Sequence, residues 1–239
     1  MASKILTFVL VFCLGAAGGI WSQAFLLPAM AANPALQNWQ FIKDWSARVQ
    51  VVAPVHEIFV RENQAIEQVV QRAKGTVVGI ESGIGRRGSG LVYTSDGLIV
   101  TTSYLVPQGY RVTVYPENQE PLSAQVLKRD VTANLALLKV EETGLQTSGF
   151  VANGGVALGA RVVLIAKLID GEDVSLFMNQ GLIKQIQEDR MITSITERTG
   201  VDGAPLFDVE GRVAGLADSD FQGNIFAIPS SVLRSFLGL

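Results

Sequence analysis

From Thr76 onward the chain is a succession of short runs rich in β-branched residues, each closed by glycine, proline, asparagine or aspartate, with no long helical period between them. The runs are Thr76–Glu81, Gly90–Thr94, Leu98–Thr102, Arg111–Tyr115, Ser123–Lys128, Ala136–Val140, Arg161–Ala166, Gly181–Gln187, Met191–Ile195, Pro205–Phe207, Arg212–Leu216 and Ile225–Ile228. Ser95-Asp96-Gly97 and Glu210-Gly211 between them have the chemistry of tight turns. A dozen strands without crossover helices exclude a parallel α/β sheet and leave a sandwich or a barrel. Ser230–Leu237 reads as a closing helix. A composition of 48% hydrophobic and 17% charged residues over 239 positions supports one sizeable core plus an appendage and excludes a disordered chain.

The appendage is the front. Ile5 to Ile42 contains no Asp, Glu, Lys, Arg or His, and Ile5–Ala32 reads ILTFVLVFCLGAAGGIWSQAFLLPAMAA. As a helix rising ~1.5 Å per residue, Ile5–Met30 reaches about 39 Å, enough to cross a ~30 Å hydrocarbon core with tilt. This predicts a single-pass transmembrane anchor within residues 1–32, touching the membrane through residues 5–30. Lys4 is the only charge ahead of the span and places the C-terminal domain outside the cytoplasm, although Lys43 and Arg48 beyond it pull the other way. The rival reading is a cleaved signal peptide, with Ala29-Met30-Ala31 as the small-x-small site. Trp21, Phe25, Leu26 and Leu27 make that region too apolar, and the run is longer than a ~7–15-residue signal core, so the uncleaved anchor is preferred.

Cys13, the only cysteine, lies within the apolar run, where it makes no intrachain disulfide and reads as an anchor thiol. With one cysteine and one histidine, zinc sites of the Cys/His type are excluded, and neither metal nor cofactor is expected. Beyond the front lie all 22 acidic residues and 18 of the 19 basic ones, a formal charge of −4. No basic stripe is available to neutralise phosphates, which argues against nucleic-acid binding.

Asn33-Pro34 breaks the apolar run, and Leu36, Trp39, Ile42, Trp45 and Val49 then recur at helical spacing. Two readings stay open for this stretch: a helix at the membrane interface, or a stalk packed on a second copy of itself. Val49–Val60 reads as an extended linker or edge strand, with Pro54 against a central one and His56 as a solvated or loosely hydrogen-bonded residue in preference to a catalyst. A short helix capped by Asn63 follows, with Ile66, Val69, Val70 and Ala73 on one face, stopped at Gly75. The boundaries are therefore 1–32 for the anchor, 33–64 for the juxtamembrane helix and linker, and 65–239 for the β domain.

Four ordered blocks carry a family resemblance: GSGLVYTSDGLIVTTSYLV (Gly88–Val106), TANLALLKV (Thr132–Val140), TGVDGAPLFDVEGRVAGL (Thr199–Leu216) and FAIPSSVL (Phe226–Leu233). Together they resemble the protease domain of the HtrA/Deg branch of trypsin-like serine peptidases, whose pattern is GSG-x4-SDG-x-IxTNNHVV, TDLAVLK, NPGNSGGPLxNxxGxVxGI and FAIP. The resemblance implies a mainly β chymotrypsin fold of two six-stranded antiparallel barrels with a cleft between them, barrel one over about 76–140 and barrel two over about 150–229. The family usually adds a PDZ domain; the chain is read as lacking one because it closes at Leu239, and Ser82–Arg87 is too short for the long first-barrel loop of some members.

The resemblance also places the catalytic triad, and all three positions are replaced. The family histidine falls at Tyr104, the aspartate at Asn134 and the serine at Asp202. Tyrosine, with a reference pKa near ~10, is a poor base at neutral pH, asparagine carries no charge to stabilise an imidazolium, and an attacking aspartate has no histidine in the domain to protonate a leaving amine. Ser103 and Ser194 are further hydroxyls without an identifiable base. Gly200, Asp202 and Gly203 keep the turn whose amides form the family's oxyanion hole. Asp202 is expected to accept hydrogen bonds from those amides and from the Tyr104 hydroxyl; the other reading leaves both side chains facing solvent. Gly85-Arg86-Arg87-Gly88 reads as a turn with two solvated arginines, in preference to a basic tip for carboxylates or lipid phosphates. Gly83–Gly90 is followed by no helix and no Gly-Lys-Ser/Thr, which rejects phosphate binding.

The functional expectation is a membrane-anchored, extracytoplasmic HtrA-like pseudoprotease, a binding or scaffolding module in protein quality control. Its partners would be unfolded or extended peptide segments or a paralogous HtrA-like subunit, with a homo-oligomer also open. The alternatives are an active endopeptidase with a noncanonical nucleophile or a residue supplied in trans, and a structural subunit pairing with an active paralogue.

Overall fold

The computed structural model describes residues 2–26, 29–30, 56–117, 119–152, 155–171, 173–198 and 200–239, in two compact units, Met1–Glu57 and Ile58–Leu239. In the first unit α1 spans Ala2–Trp21, 20 residues, and passes into a π-helical turn over Ser22–Leu26. The uninterrupted span expected over residues 5–30 is thus not one α-helix. Lys4 shortens the uncharged part of α1 to Ile5–Trp21, just below the ~20 apolar residues of a typical span. Among the described residues no helix is long and apolar enough to cross a membrane. The amphipathic pattern over residues 36–49 lies outside the described residues.

Helix α2 covers His56–Ala73. It begins seven residues before the expected Asn63 cap, so His56 and Asn63 are both helical and not in a linker. The helix formers Glu57, Arg61, Glu62, Gln64 and Ala65 carry the helical period back past Asn63. Its Val69 and Ala73 are buried, and Thr76 Oγ1 donates to the Ala73 carbonyl at 2.8 Å as the chain turns into the first strand.

Twelve strands follow: β1 Val77–Ser82, β2 Arg87–Val92, β3 Leu98–Thr101, β4 Val112–Tyr115, β5 Leu122–Asp130, β6 Leu135–Lys139, β7 Arg161–Asp170, β8 Asp173–Ile186, β9 Met191–Thr196, β10 Pro205–Phe207, β11 Val213–Ser219 and β12 Asn224–Pro229. They close into two antiparallel barrels, ordered β1-β2-β3-β6-β5-β4 and β7-β8-β9-β12-β11-β10. The expected double barrel forms. The main departure is β8, expected only from Gly181. Strand β7 pairs with it from Arg161↔Leu182 to Asp170↔Asp173, so the ladder draws in a stretch whose own pattern is broken by Asn179 and Gln180. Pairing with a formed neighbour overrides weak local alternation.

Period-2 alternation explains three cores. Ile99 of β3 points into barrel one with Ile80, Val114 and Leu138, while Val162, Leu164 and Ala166 of β7 point into barrel two with Leu206 and Ala227. The opposite faces, Val100 of β3 and Val163 and Ile165 of β7, join Phe207, Val69 of α2 and Leu233 and Phe236 of the closing helix α3, Ser230–Leu237, in a third cluster that binds the barrels together. Strand β7 is therefore buried on both faces, and its Val162–Ala166 read as a continuous apolar run. Ser89 of β2 stitches the same seam: its hydroxyl accepts from the Lys167 N–H at 2.9 Å. The buried Lys167 ammonium pairs with Glu117.

Candidate functional site

The seam opens on one side into a cavity of about 530 Å3. Barrel one supplies its first wall through two turns. After β3, Leu105 and Val106 are fully buried and their N–H groups donate to the Thr102 and Ser103 carbonyls at 3.2 and 3.3 Å. Anchoring these residues inward turns Tyr104 outward, where it is 51% exposed. Between β5 and β6, Asp130 Oδ1 accepts the Ala133 N–H at 2.9 Å and Asn134 adopts φ +53°, a left-handed conformation that asparagine tolerates better than most residues.

That conformation makes Asn134 the hub of the site. Its Oδ1 accepts from Ser103 Oγ at 3.0 Å and from the Tyr104 N–H at 3.1 Å, and its backbone oxygen accepts the Ser103 N–H at 3.2 Å. Its Nδ2 donates across the seam to Asp218 Oδ2 of β11 at 2.9 Å. Only an amide serves both sides, since a carboxylate has no donor for Asp218. Arg129 Nη2 donates to the Ser103 carbonyl at 3.1 Å and Arg86 Nη1 to the Tyr104 carbonyl at 2.6 Å, so the Ser103-Tyr104 turn is clamped from three sides. The Arg86 guanidinium also lies over the Tyr104 ring, 4.1 Å from its centroid. Arg86 is thus engaged, where a solvated turn arginine was expected; Arg87 pairs with Glu81 at 2.7 Å and holds its carboxyl below the usual range.

Barrel two supplies the other wall. Asp202 sits on a turn whose Gly200 and Gly203 both have positive φ, +76° and +74°. A side chain at 203 would collide with the Ser89 carbonyl oxygen and Thr101 Oγ1, so glycine is required there. The Gly203 N–H donates to the Ala217 carbonyl at 2.8 Å, which commits this amide to β11 and leaves it unavailable to an oxyanion. Asp202 Oδ1 accepts from Ser219 Oγ at 2.7 Å. The expected bond from the Tyr104 hydroxyl does not form, because the Tyr104 ring is held by Arg86 while Ser219 reaches Asp202 from the adjacent strand. Burial pushes the Asp202 carboxyl above the ordinary aspartate value and the Asp218 charge pushes the same way, against the Ser219 hydroxyl.

Tyr104, Asn134 and Asp202, far apart in sequence, all line this one cavity. Of the two other serines considered, Ser103 lines it too, whereas Ser194 Oγ accepts the Leu182 N–H at 2.9 Å between β8 and β9. The residues that sequence reading missed are Asp218, Ser219, Asp220 and Phe221, together with Arg86, Arg129 and Val131. The first four lie directly after Leu216, where the third quoted block stops; the unusual run Asp218-Ser219-Asp220 was the available signal. The described residues contain no group of three or more His, Cys, Asp or Glu side chains able to hold a metal ion.

The family model of the trypsin-like peptidase domain matches residues 88–216, more than half of the chain. The chain belongs to the trypsin-like peptidase domain family. Its HtrA/DegP relatives include a protein from Pseudomonas fulva (strain 12-X) described as "Probable periplasmic serine endoprotease DegP-like", 29% identical over 162 residues that cover 61% of this chain and 33% of that protein. Another is "Serine protease HTRA1" from Xenopus tropicalis, 29% identical over 166 residues, 63% of this chain and 35% of that one. The chain thus spans about a third of the length of these curated relatives. The fold of this trypsin-like peptidase domain resembles the crystal structure of the serine endoprotease from Yersinia pestis, with a TM-score of 0.65 at 23% identity, covering 72% of this chain and 65% of that one.

Proposed function

We propose that this trypsin-like peptidase domain is a membrane-anchored, extracytoplasmic pseudoprotease that binds extended segments of other proteins. The observation carrying this reading is the state of the cleft floor. Asp202, at the position the family resemblance gives to the nucleophile, accepts a hydrogen bond from the Ser219 hydroxyl, and Tyr104 and Asn134 are tied into the wall by Arg86 and Asp218. Peptidase chemistry needs a group to take the nucleophile's proton and return it to the leaving amine, and no histidine lines the cavity. Binding an extended segment needs only a groove, backbone groups and side-chain pockets. The anchor rests on the charge-free stretch from Ile5 to Ile42. The extracytoplasmic side is supported by the periplasmic description of the DegP-like relatives.

A second reading, an endopeptidase with a displaced nucleophile, is favoured by one contact: the Ser219 hydroxyl already donates to a carboxylate that burial makes more basic. The test is casein cleavage by the purified full chain in detergent micelles, beside Asp202→Ala and Ser219→Ala variants. No cleavage above a mock purification is expected, with circular dichroism showing the β fold. Cleavage abolished in either variant would overturn the noncatalytic reading and assign the chemistry to the Ser219–Asp202 pair.

A further inference from the structure

The cleft combines an apolar rim with two walls of opposite charge. Tyr104 and Val131 stand out from barrel one, 51% and 73% exposed, and Phe221 at the β11–β12 turn is fully exposed. A fully solvated phenylalanine beside two other exposed apolar side chains around one groove marks a surface that a partner covers. On the barrel-two wall stand Asp202, Asp218 and Asp220. Their side-chain partners are neutral: Ser219 for Asp202, Asn134 for Asp218, and Asn224 for Asp220. None of the three is in an ion pair among the described residues. Arg86 and Arg129 face them from barrel one but are turned to the Tyr104 and Ser103 carbonyls.

We propose that the groove takes an extended segment carrying a lysine or arginine beside a large apolar residue, the basic side chain lying on the Asp218–Asp220 wall and the apolar one against Phe221. This deepens the peptide-binding reading and rests on it. Charge complementarity selects the occupant. A basic side chain meets carboxylates whose hydrogen bonds come from neutral groups, whereas an acidic one on that wall is repelled. The two arginines opposite confine the cation to the barrel-two wall, which fixes the direction in which the segment's side chains point. The Arg86–Tyr104 stack gives the facing rim a flat surface for the apolar neighbours.

The probes are three fluorescein-labelled apolar nonapeptides, identical except for lysine, glutamine or glutamate at the centre, titrated against the full chain in detergent micelles by fluorescence anisotropy. The lysine peptide is expected to bind about tenfold tighter than the glutamine peptide at low salt, and the glutamate peptide more weakly than either. The lysine advantage shrinks as salt is raised to about 0.5 M. Asp220→Asn and Asp218→Asn remove that advantage, bringing the lysine peptide's affinity to that of the glutamine peptide measured on the same variant. Because Asp218 also holds Asn134, the peptide series on the unmodified chain and Asp220→Asn decide the matter if Asp218→Asn fails to fold. Equal affinity for the lysine and glutamine peptides overturns this inference alone. Binding of none of the three overturns the peptide-binding reading with it.

Discussion

Barrel one and barrel two share one strand order, the second repeating the first six strands later, yet they give the cleft opposite equipment. Barrel one contributes a turn held rigidly from several directions, with Asn134, Arg86 and Arg129 all spent on fixing Ser103 and Tyr104. Barrel two contributes carboxylates bonded only to neutral neighbours and a phenylalanine left in solvent. The common topology brings four loops to one place, and the residues on those loops decide what chemistry meets there. Here the two walls are joined by one hydrogen bond between side chains, Asn134 to Asp218, and by the close approach of the Asp202–Gly203 turn to β2.

The largest expected effect comes from breaking that close approach. Gly203→Ala forces a left-handed residue to carry a side chain and drives it into the Ser89 carbonyl, and it is expected to lower stability by about 3 kcal/mol in urea unfolding. A loss below about 1 kcal/mol would mean the walls are not pressed together at this turn.

Asn134→Asp tests the bond between the walls. It replaces the donor to Asp218 with a second carboxylate at the same 2.9 Å approach, and a loss of about 2 kcal/mol at pH 7 is expected. Adding Asp218→Asn restores an amide–carboxylate pair in reverse, so a double-mutant cycle is expected to show a coupling of about 1 kcal/mol or more. Additive losses would show that the walls are independent.

The smallest effect concerns the barrel-two wall alone. Burial raises the Asp202 pKa, so between the ordinary aspartate value and the raised one the folded chain holds the extra proton and stability falls as pH rises through that window. Asp202→Asn is accordingly expected to be more stable than the parent at pH 7, by about 1 kcal/mol or less, with the gap closing as pH falls below the window. Thermal unfolding across pH 3–8 (about that range suffices) measures it, and a gap that widens in acid would reverse the sign assigned here.

Much of this was legible in the residues. In barrel one β4 was readable because it alternates against a buried face, and β1 and β3 because they are short β-branched runs buried on both faces; the turns at Gly97 and Gly211 were readable because positive φ selects glycine there. The convergence of Tyr104, Asn134 and Asp202 followed from the family blocks. The start of α2 and the length of β8 were not legible in the same way, since each is set by a neighbour: preceding sequence extends the helix, and β7 extends its partner. The partners of the site residues were hidden for a stronger reason. Asn134 and Asp218 are 84 positions apart, and Asp202 and Ser219 are 17 apart on different elements.

The sequence by itself determined the succession of short strands, the separate apolar front and the absence of histidine from the β domain, because periodicity, hydropathy and composition are properties of the chain read in order, while the choice of a double barrel over a sandwich came from the family resemblance. Only the tertiary structure decided that Asp202 answers to Ser219 and not to Tyr104, that both cleft arginines serve backbone carbonyls, and that Phe221 stands in water. Those outcomes depend on which loops two closed barrels bring within about 3 Å of each other, and hydrogen bonds are selective on that scale.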